Sequence, residues 1–418
     1  MCQRKASVPV VAESPQHEVI IIGGGLVGFV LALALEKYTG RKVPVFERSA
    51  TMLPNVGAGL VLQQNGLKVL RDIDETLYEA ILQASSDFTE RTWERHDGTV
   101  IAAAPESNSR GMQRWRLQNL LHEAVCRKGI NVHWGKELTK VDSQSSSEYV
   151  RVNFADGTQT TTAWLMASDG VKSKVRRTVA PDVEWHYSGW TSFMGISHVE
   201  SSKLRMPSSL TTKCHATFFP IGDFESCFQI HFPLSSTNPE CWGTLTCKRS
   251  AEMCQKLANE LEADGWDESF LQHLKTAQRS VQVGFGELNP TLKHWVYGRV
   301  VLLGDAAHPP HPFLGQGSQQ GYEDAATLAL LIEEFGLTAK SMELYETIRM
   351  SRVDLVAKCD AQMGDSQQRR ASSSKLAFSQ EDSVQRQIFF HETSPLLLAG
   401  AAHDYRQAIR DAIEPRKL

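Results

Sequence analysis

Glu18-Val19-Ile20-Ile21-Ile22-Gly23-Gly24-Gly25-Leu26-Val27-Gly28 is the stretch that decides the fold of this 418-residue chain. Val19 to Ile22 is an apolar run of strand length; three glycines follow it, and then comes the helix pattern Leu26–Tyr38. A second strand pattern, Lys42–Phe46, completes a strand–turn–helix–strand order, which predicts one parallel βαβ unit. In that setting Gly-x-Gly-x-x-Gly has a physical reading. Gly23 permits the tight turn, Gly25 lets the backbone approach a pyrophosphate, and Gly28 lets helix pack closely on strand. The helix start turns its unpaired N–H groups and positive dipole end towards the phosphates. Glu47, closing the second strand, stands where an acidic side chain accepts hydrogen bonds from both hydroxyls of an adenosine ribose. A dinucleotide site is predicted here.

Further along, the texture changes. Ile130–Trp134, Leu138–Asp142, Tyr149–Phe154 and Trp164–Ala167 read as strands, with the Ser-rich turn Ser143–Ser147 and the hairpin signal Asp156-Gly157 between them. From about Val183 a second, β-rich domain is expected. Its signals are the short strands Cys214–Phe219, Cys227–Phe232 and Trp242–Cys247 and the helix pattern Ala251–Leu261. Arg299–Leu303 then returns as a fully apolar strand of the first domain, followed by a glycine-rich turn and the helix Gly321–Phe335. The segment after Met350 is helix-compatible and contains the polar stretch Ser366–Ser374.

Two later motifs bear on which dinucleotide is bound. Asp169-Gly170 follows one apolar strand end, and Gly304-Asp305 follows another. A carboxylate at such a strand end can accept hydrogen bonds from ribitol hydroxyls, while the neighbouring glycine admits close backbone approach. After the second motif come Pro312, Gly315-Gln316-Gly317 and a helix bearing Glu323 and Asp324. That helix start can direct N–H groups at the N1–C2=O edge of a flavin ring, which becomes negative on reduction.

With these motifs in order, roughly from Val19 to Leu331, the sequence resembles the group A flavoprotein monooxygenases of the salicylate-hydroxylase and tetracycline-monooxygenase type. The shared features are the Gly23–Gly28 fingerprint with Glu47-Arg48, Gly57-Ala58-Gly59, Arg114-x-x-Leu117, Asp169-Gly170, and Gly304-Asp305 with its Pro-x-x-Gly-Gln-Gly continuation. The resemblance implies an α/β fold: a Rossmann-like FAD-binding domain, discontinuous over 17–182 and 283–350, an inserted β-sheet substrate domain at 183–282, and a C-terminal helical segment at 351–418. It also implies residue roles. Glu47 would bind the adenosine ribose and Arg48 would lie along the adenine. Arg114 and Gln118 would reach the phosphates and ribityl chain, and Asp305 would hold that chain. Pro312, Gly315, Gln316 and Gly317 would border the flavin ring, with Gly59 on its other side near the substrate. Asp169 would be mainly structural around the nucleotide.

The implied chemistry is hydride transfer from NADH or NADPH to FAD, reaction with O2 through a flavin C4a-hydroperoxide, and hydroxylation or epoxidation of a small electron-rich substrate. The cofactor carries the hard chemistry and the protein positions the substrate. Tyr187, Phe193, Met194, His215, Phe218, Phe219, Phe228 and His231 are the candidate substrate contacts. Phe218 and Phe219 cannot share a face of one strand, because successive residues alternate. Met194 stands where many relatives carry an arginine that pairs with an anionic substrate, so a neutral, apolar substrate is favoured. His308 and His311 are expected beside the flavin, with His311 a candidate for substrate contact or proton shuttling. Prolines at 309, 310 and 312 preclude a regular helix there, and no supporting ligands lie nearby, so no metal is expected.

Composition narrows the rest. Hydrophobic residues make up 41% and charged residues 22%, a globular balance, and the net charge of −4 lacks the basic stripe that nucleic acid would need. No apolar run is long enough to span a bilayer. The first residues read as a disordered leader rather than a signal peptide. Eight cysteines form no Cys-x-x-Cys pair, which points to reduced thiols and a cytoplasmic protein. Rival readings are a Baeyer–Villiger or decarboxylating oxygenase on the same scaffold, and a non-catalytic FAD-binding regulator. The oligomeric state is not legible.

Overall fold

The computed structural model describes residues 14–372 and 403–413, apart from positions 53, 55–56, 89, 107–108, 144–147, 210–213, 223 and 235–242. The expected N-terminal leader, all but Ser143 of the Ser-rich turn, Trp242, and most of the chain beyond 372 lie outside the described residues.

The first strand, His17–Ile22, lies inside an eight-stranded sheet whose path is Val296–Tyr297, Val300–Leu302, Gln159–Ala167, His17–Ile22, Val45–Phe46 and Val132–His133. Pairing is parallel from Val300–Leu302 across to Val132–His133, with Ile21 opposite Met166 on one side and Val45 on the other. Central parallel strands are covered on both faces, which is why they read as unbroken apolar runs. Ile20, Ile21, Leu165, Val300 and Val301 are all fully buried. Each such side chain contributes roughly 1.5–3 kcal/mol of transfer free energy. Gln159–Ala167 also turns outward into an antiparallel meander with Val150–Phe154 and Leu138–Asp142.

Two helices press on this sheet. Leu26–Thr39 is buried from Phe29 to Leu35 and stops at Gly40, whose φ of 69° accepts the left-handed cap while its N–H donates to Glu36 O. A Cβ at Gly28 would collide with Gly23 O, so only glycine lets this helix sit so close to the strand. The helix Gly317–Phe335 crosses it where Gly321 meets Val27.

The second sheet is wider than the sequence indicated. Its order is Gly243–Thr244, Ala277–Asn289, Glu184–Ser197, Glu225–Pro233, His215–Gly222, Leu204–Ser208, Glu90–Arg95 and Val100–Pro105. Sheet membership therefore does not follow the expected 183–282 boundary. Two strands come from within 17–182, and another runs on to Asn289. Glu90–Arg95 reads Glu-Arg-Thr-Trp-Glu-Arg, which has no apolar alternation to betray it. It is held instead by an ion pair of the buried Glu94 with the half-buried Arg205 at 2.5 Å, and by parallel pairing with Leu204–Ser208. Of the expected strand 242–247 the described part is short: Gly243–Thr244 pairs, Leu245 N still donates to Ser280 O, and Cys247 already opens a helix, with the Thr246 hydroxyl accepting from Arg249 N.

One face of this sheet is covered by the helices Cys247–Ala263 and Glu268–Lys275. There Phe193, Phe218, Phe228 and Ile230 pack with Leu257, Leu261, Phe270 and Leu274. The opposite face turns towards the first domain. The C-terminal part is helical, but its long helix Ala339–Ser372 starts well before 351. Tyr345 on that helix donates its hydroxyl to Leu302 O at 2.9 Å, tying it to the central sheet. Tyr405–Ile413 folds back, with the Tyr405 hydroxyl donating to Asp72. Among the described residues no helix is long and apolar enough to cross a membrane.

Candidate active site

The glycine turn opens onto a cavity of about 360 Å³ whose wall includes Glu47, Arg48, Arg114, Gln118, Asp169 and Gly170. Gly23, at φ 106°, has Ser168 O where a Cβ would stand, so the turn is closed by backbone. Gly25 differs: a Cβ there would meet nothing within 4 Å. The space above Gly25 is open at the start of a helix that has no side-chain cap and no acidic residue in its first turn. That helix end is left free to take an anion. Glu47 is fixed in place, with Oε2 accepting from Gly24 N at 2.7 Å and Oε1 from Ser49 N at 2.8 Å. Each carboxylate oxygen keeps a further lone pair for a ribose hydroxyl. Gln118 donates to Gly24 O at 2.8 Å and so braces the turn from behind.

A second cavity of about 500 Å³ shares Gly25, Arg114, Ser168 and Gly170 with the first, so the two form one continuous trough. Asp305 projects into it. Burial in the surrounding protein raises the carboxyl pKa, and His308, Arg114 and Arg176 oppose that rise. Arg176, which the sequence did not single out, joins the segments after Asp169-Gly170 and Gly304-Asp305: it donates to Ala306 O at 2.9 Å and to Val171 O at 2.6 Å. Asp169 spends both oxygens on the helix Lys174–Val179, accepting from Ser173 Oγ at 2.6 Å and Lys174 N at 2.8 Å. Pro312, Gly315 and Gly317 line the far end, where the helix Gly317–Phe335 begins without a side-chain cap or an acidic first turn.

Gln316 is placed differently from the expectation. Its side chain does not line the trough but is buried between Gln63, Asn65 and Gln320, donating to Gln63 Oε1 at 2.6 Å. His308 also departs, turning inward to Asp324 Oδ2 at 2.6 Å. Asp324 accepts there from Gly304 N and, through Oδ1, from Arg349, while Glu323 accepts from Asn65 and Arg349. Burial works against the Asp324 charge, but His308 and Arg349 hold its pKa at about 2. This network anchors the Gly304-Asp305 turn and the helix start on one rigid base.

Along the sheet face, alternation sorts the predicted substrate contacts. His215, Phe219 and His231 line the cavity, together with Thr217 and Gln229. Phe193, Phe218 and Phe228 point to the opposite face and lie in the helix-covered core. Tyr187 lies outside the lining and donates its hydroxyl to Leu234 O. Met194 packs beside Phe219 and Ile196 in a small apolar cluster instead of forming the cavity wall. Gly59 is pressed against Cys227 and Ile221 of the second sheet, leaving Leu60 and Val61 to line the cavity. His311 does line it, stacked on Phe313 with its Nδ1 buried and unpartnered. Trp185, Gln229 and Arg91 were missed by sequence reading; their strands carry no motif, and only the folded register brings them here.

The family model described as an FAD binding domain matches residues 16–359. The chain belongs to the group A flavin monooxygenase family. It is an enzyme of that oxidoreductase class, and the trough has features that fit FAD: it is open above Gly25, acidic at Glu47, and closed by a helix start at Gly317. Aurachin C monooxygenase/isomerase of Stigmatella aurantiaca is 29% identical over 352 residues, covering 81% of this chain and 87% of that protein. Salicylate hydroxylase of Pseudomonas putida is 29% identical over 380 residues, covering 82% and 85%. Among solved structures, HpxO of Klebsiella pneumoniae complexed with FAD and uric acid superposes with a TM-score of 0.75 at 19% identity, covering 93% of this chain and 98% of that one. That likeness places the fold.

Proposed function

We propose that this enzyme uses NADH or NADPH and O2 to hydroxylate or epoxidise a small, electron-rich aromatic or natural-product substrate. The observation that carries this reading is the single cavity shared by the flavin-contact motifs and the His215–His231 sheet face. Bound FAD supplies the redox chemistry, accepting hydride and delivering one atom of O2. The chain's own residues do the rest. The helix start at Gly317 offers N–H groups to the charge that develops on reduction. Asp305 orients the ribityl chain, and Arg114, in both halves of the trough, faces the phosphates. Pro309 to Leu314 and the sheet face enclose the substrate and exclude water, which protects a reactive oxygenating species from solvent. His311, whose pKa burial lowers, is a neutral base able to take a proton from the substrate.

The substrate is uncharged in this reading. The Pseudomonas putida relative is named for a carboxylate, but here the cavity-lining cations among the described residues are Arg114 and Arg91, and Arg91 is paired with Glu106 at 2.7 Å. The test is the absorption spectrum of the purified protein, then NADH and NADPH oxidation in air with a panel of phenols, indoles, quinolones and polyketides. Flavin absorbance, oxidation stimulated by one panel member and a product heavier by one oxygen support the assignment. Flavin without stimulated oxidation makes the protein a flavin binder without oxygenase activity, and a protein that takes up no FAD overturns both.

A further inference from the structure

His215 and His231 stand opposite one another in register on adjacent antiparallel strands. Their ring centroids are 4.9 Å apart and inclined at 38°, on the sheet face that lines the large cavity. Aromatic rings frame them. Trp190 and Phe313 lie 5.5 and 5.4 Å from His215, and Phe285 lies 5.5 Å from His231. The two side chains are only 9% and 4% exposed, yet His215 Nε2 and His231 Nδ1 have no hydrogen-bond partner.

His273 and His308 are treated differently. His273 Nδ1 meets Ser197 Oγ at 2.7 Å, and His308 meets Asp324. A buried polar group is normally satisfied, and an unpartnered one on a ring that lines a cavity points to a ligand as its partner. Burial pulls the His215 pKa down to about 4 and that of His231 well below its usual value, so both rings are neutral near pH 7. A neutral imidazole offers one donor and one acceptor. The face therefore presents hydrogen-bonding capacity without charge, between flat aromatic walls.

We infer that His215 and His231 form a neutral imidazole pair that selects an uncharged, planar aromatic substrate by hydrogen bonding to its O–H, N–H or C=O groups. The inference rests on the oxygenase reading for the identity of the ligand as substrate, and it adds the chemical class. The pair rejects two kinds of competitor. Among the described residues the cations lining this cavity are Arg114 and Arg91, and Arg91 is paired with Glu106, so a carboxylate-bearing ring is disfavoured, while a bare hydrocarbon leaves both nitrogens unsatisfied. A site built to hydrogen-bond discriminates strongly against an analogue that lacks the group.

Three planar probes test it: 4-hydroxyquinoline, naphthalene and salicylate, titrated into the full-length protein. Binding is read by perturbation of flavin absorbance and, independently, by quenching of tryptophan fluorescence, since Trp185 lines the cavity and Trp190 adjoins His215. The expected result is that 4-hydroxyquinoline binds about tenfold or more tightly than either of the others. His215→Phe and His231→Phe should bring that preference down to about twofold, with naphthalene affinity, flavin content and melting temperature retained. His215→Gln and His231→Asn, which restore a hydrogen-bonding group near Nε2 and Nδ1, should recover most of the preference and also guard against a Phe variant that misfolds. Equal binding of 4-hydroxyquinoline and naphthalene by the wild type, no binding of 4-hydroxyquinoline, or an unchanged preference in folded Phe variants overturns the inference. Failure to hold flavin counts against the oxygenase reading alone, because tryptophan quenching still judges the histidine pair.

Discussion

The trough running from Glu47 to Asp305 and the sheet face carrying His215 and His231 share one cavity but are built on opposite principles. Along the trough several polar side chains are held by hydrogen bonds within the protein. Glu47 and Asp169 each use both carboxylate oxygens, Gln118 braces the glycine turn, and Arg176 joins the segments after Asp169-Gly170 and Gly304-Asp305. On the sheet face, buried polar atoms have no protein partner: His215 Nε2, His231 Nδ1 and Ser192 Oγ. Glu47, Asp169 and Gln118 are thus held before any ligand arrives, whereas the inferred histidine pair would gain its hydrogen bonds from a ligand. A group bound in every turnover favours preorganisation, and a group that enters and leaves favours a surface that gains its hydrogen bonds on binding.

The largest effect is expected beneath the trough. Arg349 is fully buried and donates to Asp324 at 2.7 Å and to Glu323 at 2.6 Å. Arg349→Leu removes the cation shared by two buried carboxylates, leaving Asp324 to His308 and Glu323 to the longer contact with Arg352, and costs about 3–5 kcal/mol. The urea unfolding midpoint should fall accordingly, and FAD should dissociate first, because Asp324 also holds Gly304 N. A variant that unfolds at the wild-type urea concentration would show that the base of the trough is not rigid in the sense argued, and the contrast with the sheet face would lose its meaning.

The same contrast explains what could be read from the sequence. The trough is local: Gly23–Gly28, Asp169-Gly170 and Gly304-Asp305 are short motifs whose geometry is set by neighbouring residues. The sheet face is assembled from separate strands, so its membership depends on register. Alternation separated Phe218 from Phe219 but gave no means of deciding which one faced the cavity. The helices Cys247–Ala263 and Glu268–Lys275 decide it, by covering the Phe218 side. Met194 occupied a telling position in the resemblance, yet its side chain is absorbed by packing on Phe219. Gln316 was read as a flavin neighbour from its motif, but a polar side chain between two ring-lining glycines is equally suited to face inward. The amides of Gln63 and Asn65, distant in sequence, draw it there. Glu90–Arg95 escaped notice because strand signals are apolar, and this strand is held by charge.

A smaller effect is expected at the joint between the two regions, the loop carrying Pro312 and Leu314. Asp360, on the long C-terminal helix, accepts from Leu314 N at 2.6 Å through Oδ1, while its Oδ2 is buried without a partner. Burial pushes its pKa up to about 7. A carboxyl whose folded pKa is raised stabilises the fold while protonated, so its contribution is fully present below about pH 4 and is lost as pH rises through 7. The slope is at most about 1.4 kcal/mol per pH unit over that window. Asp360→Asn keeps the acceptor for Leu314 and cannot ionise. Denaturation at pH 5 and pH 8 should show the variant gaining on the wild type at the higher pH; parallel behaviour of the two proteins would mean that this carboxyl ionises as freely as one in water.

The most discriminating change is the gentlest. At Gly28 a methyl group would strike Gly23 O, so its loss disturbs the fold and the cofactor together. Gly25 separates the two, because a Cβ there meets no protein atom within 4 Å and its φ of −77° suits any residue. Gly25→Ala should therefore leave the melting temperature of the flavin-free protein nearly unchanged, within about 0.5 kcal/mol. The same methyl group would occupy the approach to the helix N–H groups, and FAD should bind about tenfold or more weakly, a difference of about 1.4 kcal/mol. Equilibrium dialysis against FAD, set beside a thermal melt of the apoprotein, reads both quantities. If affinity and stability fall together, Gly25 belongs to the packing of the turn. If neither moves, the pyrophosphate does not approach this backbone and the trough must be threaded another way. Only a loss of affinity at constant stability fits a site finished by the protein and kept open for a phosphate.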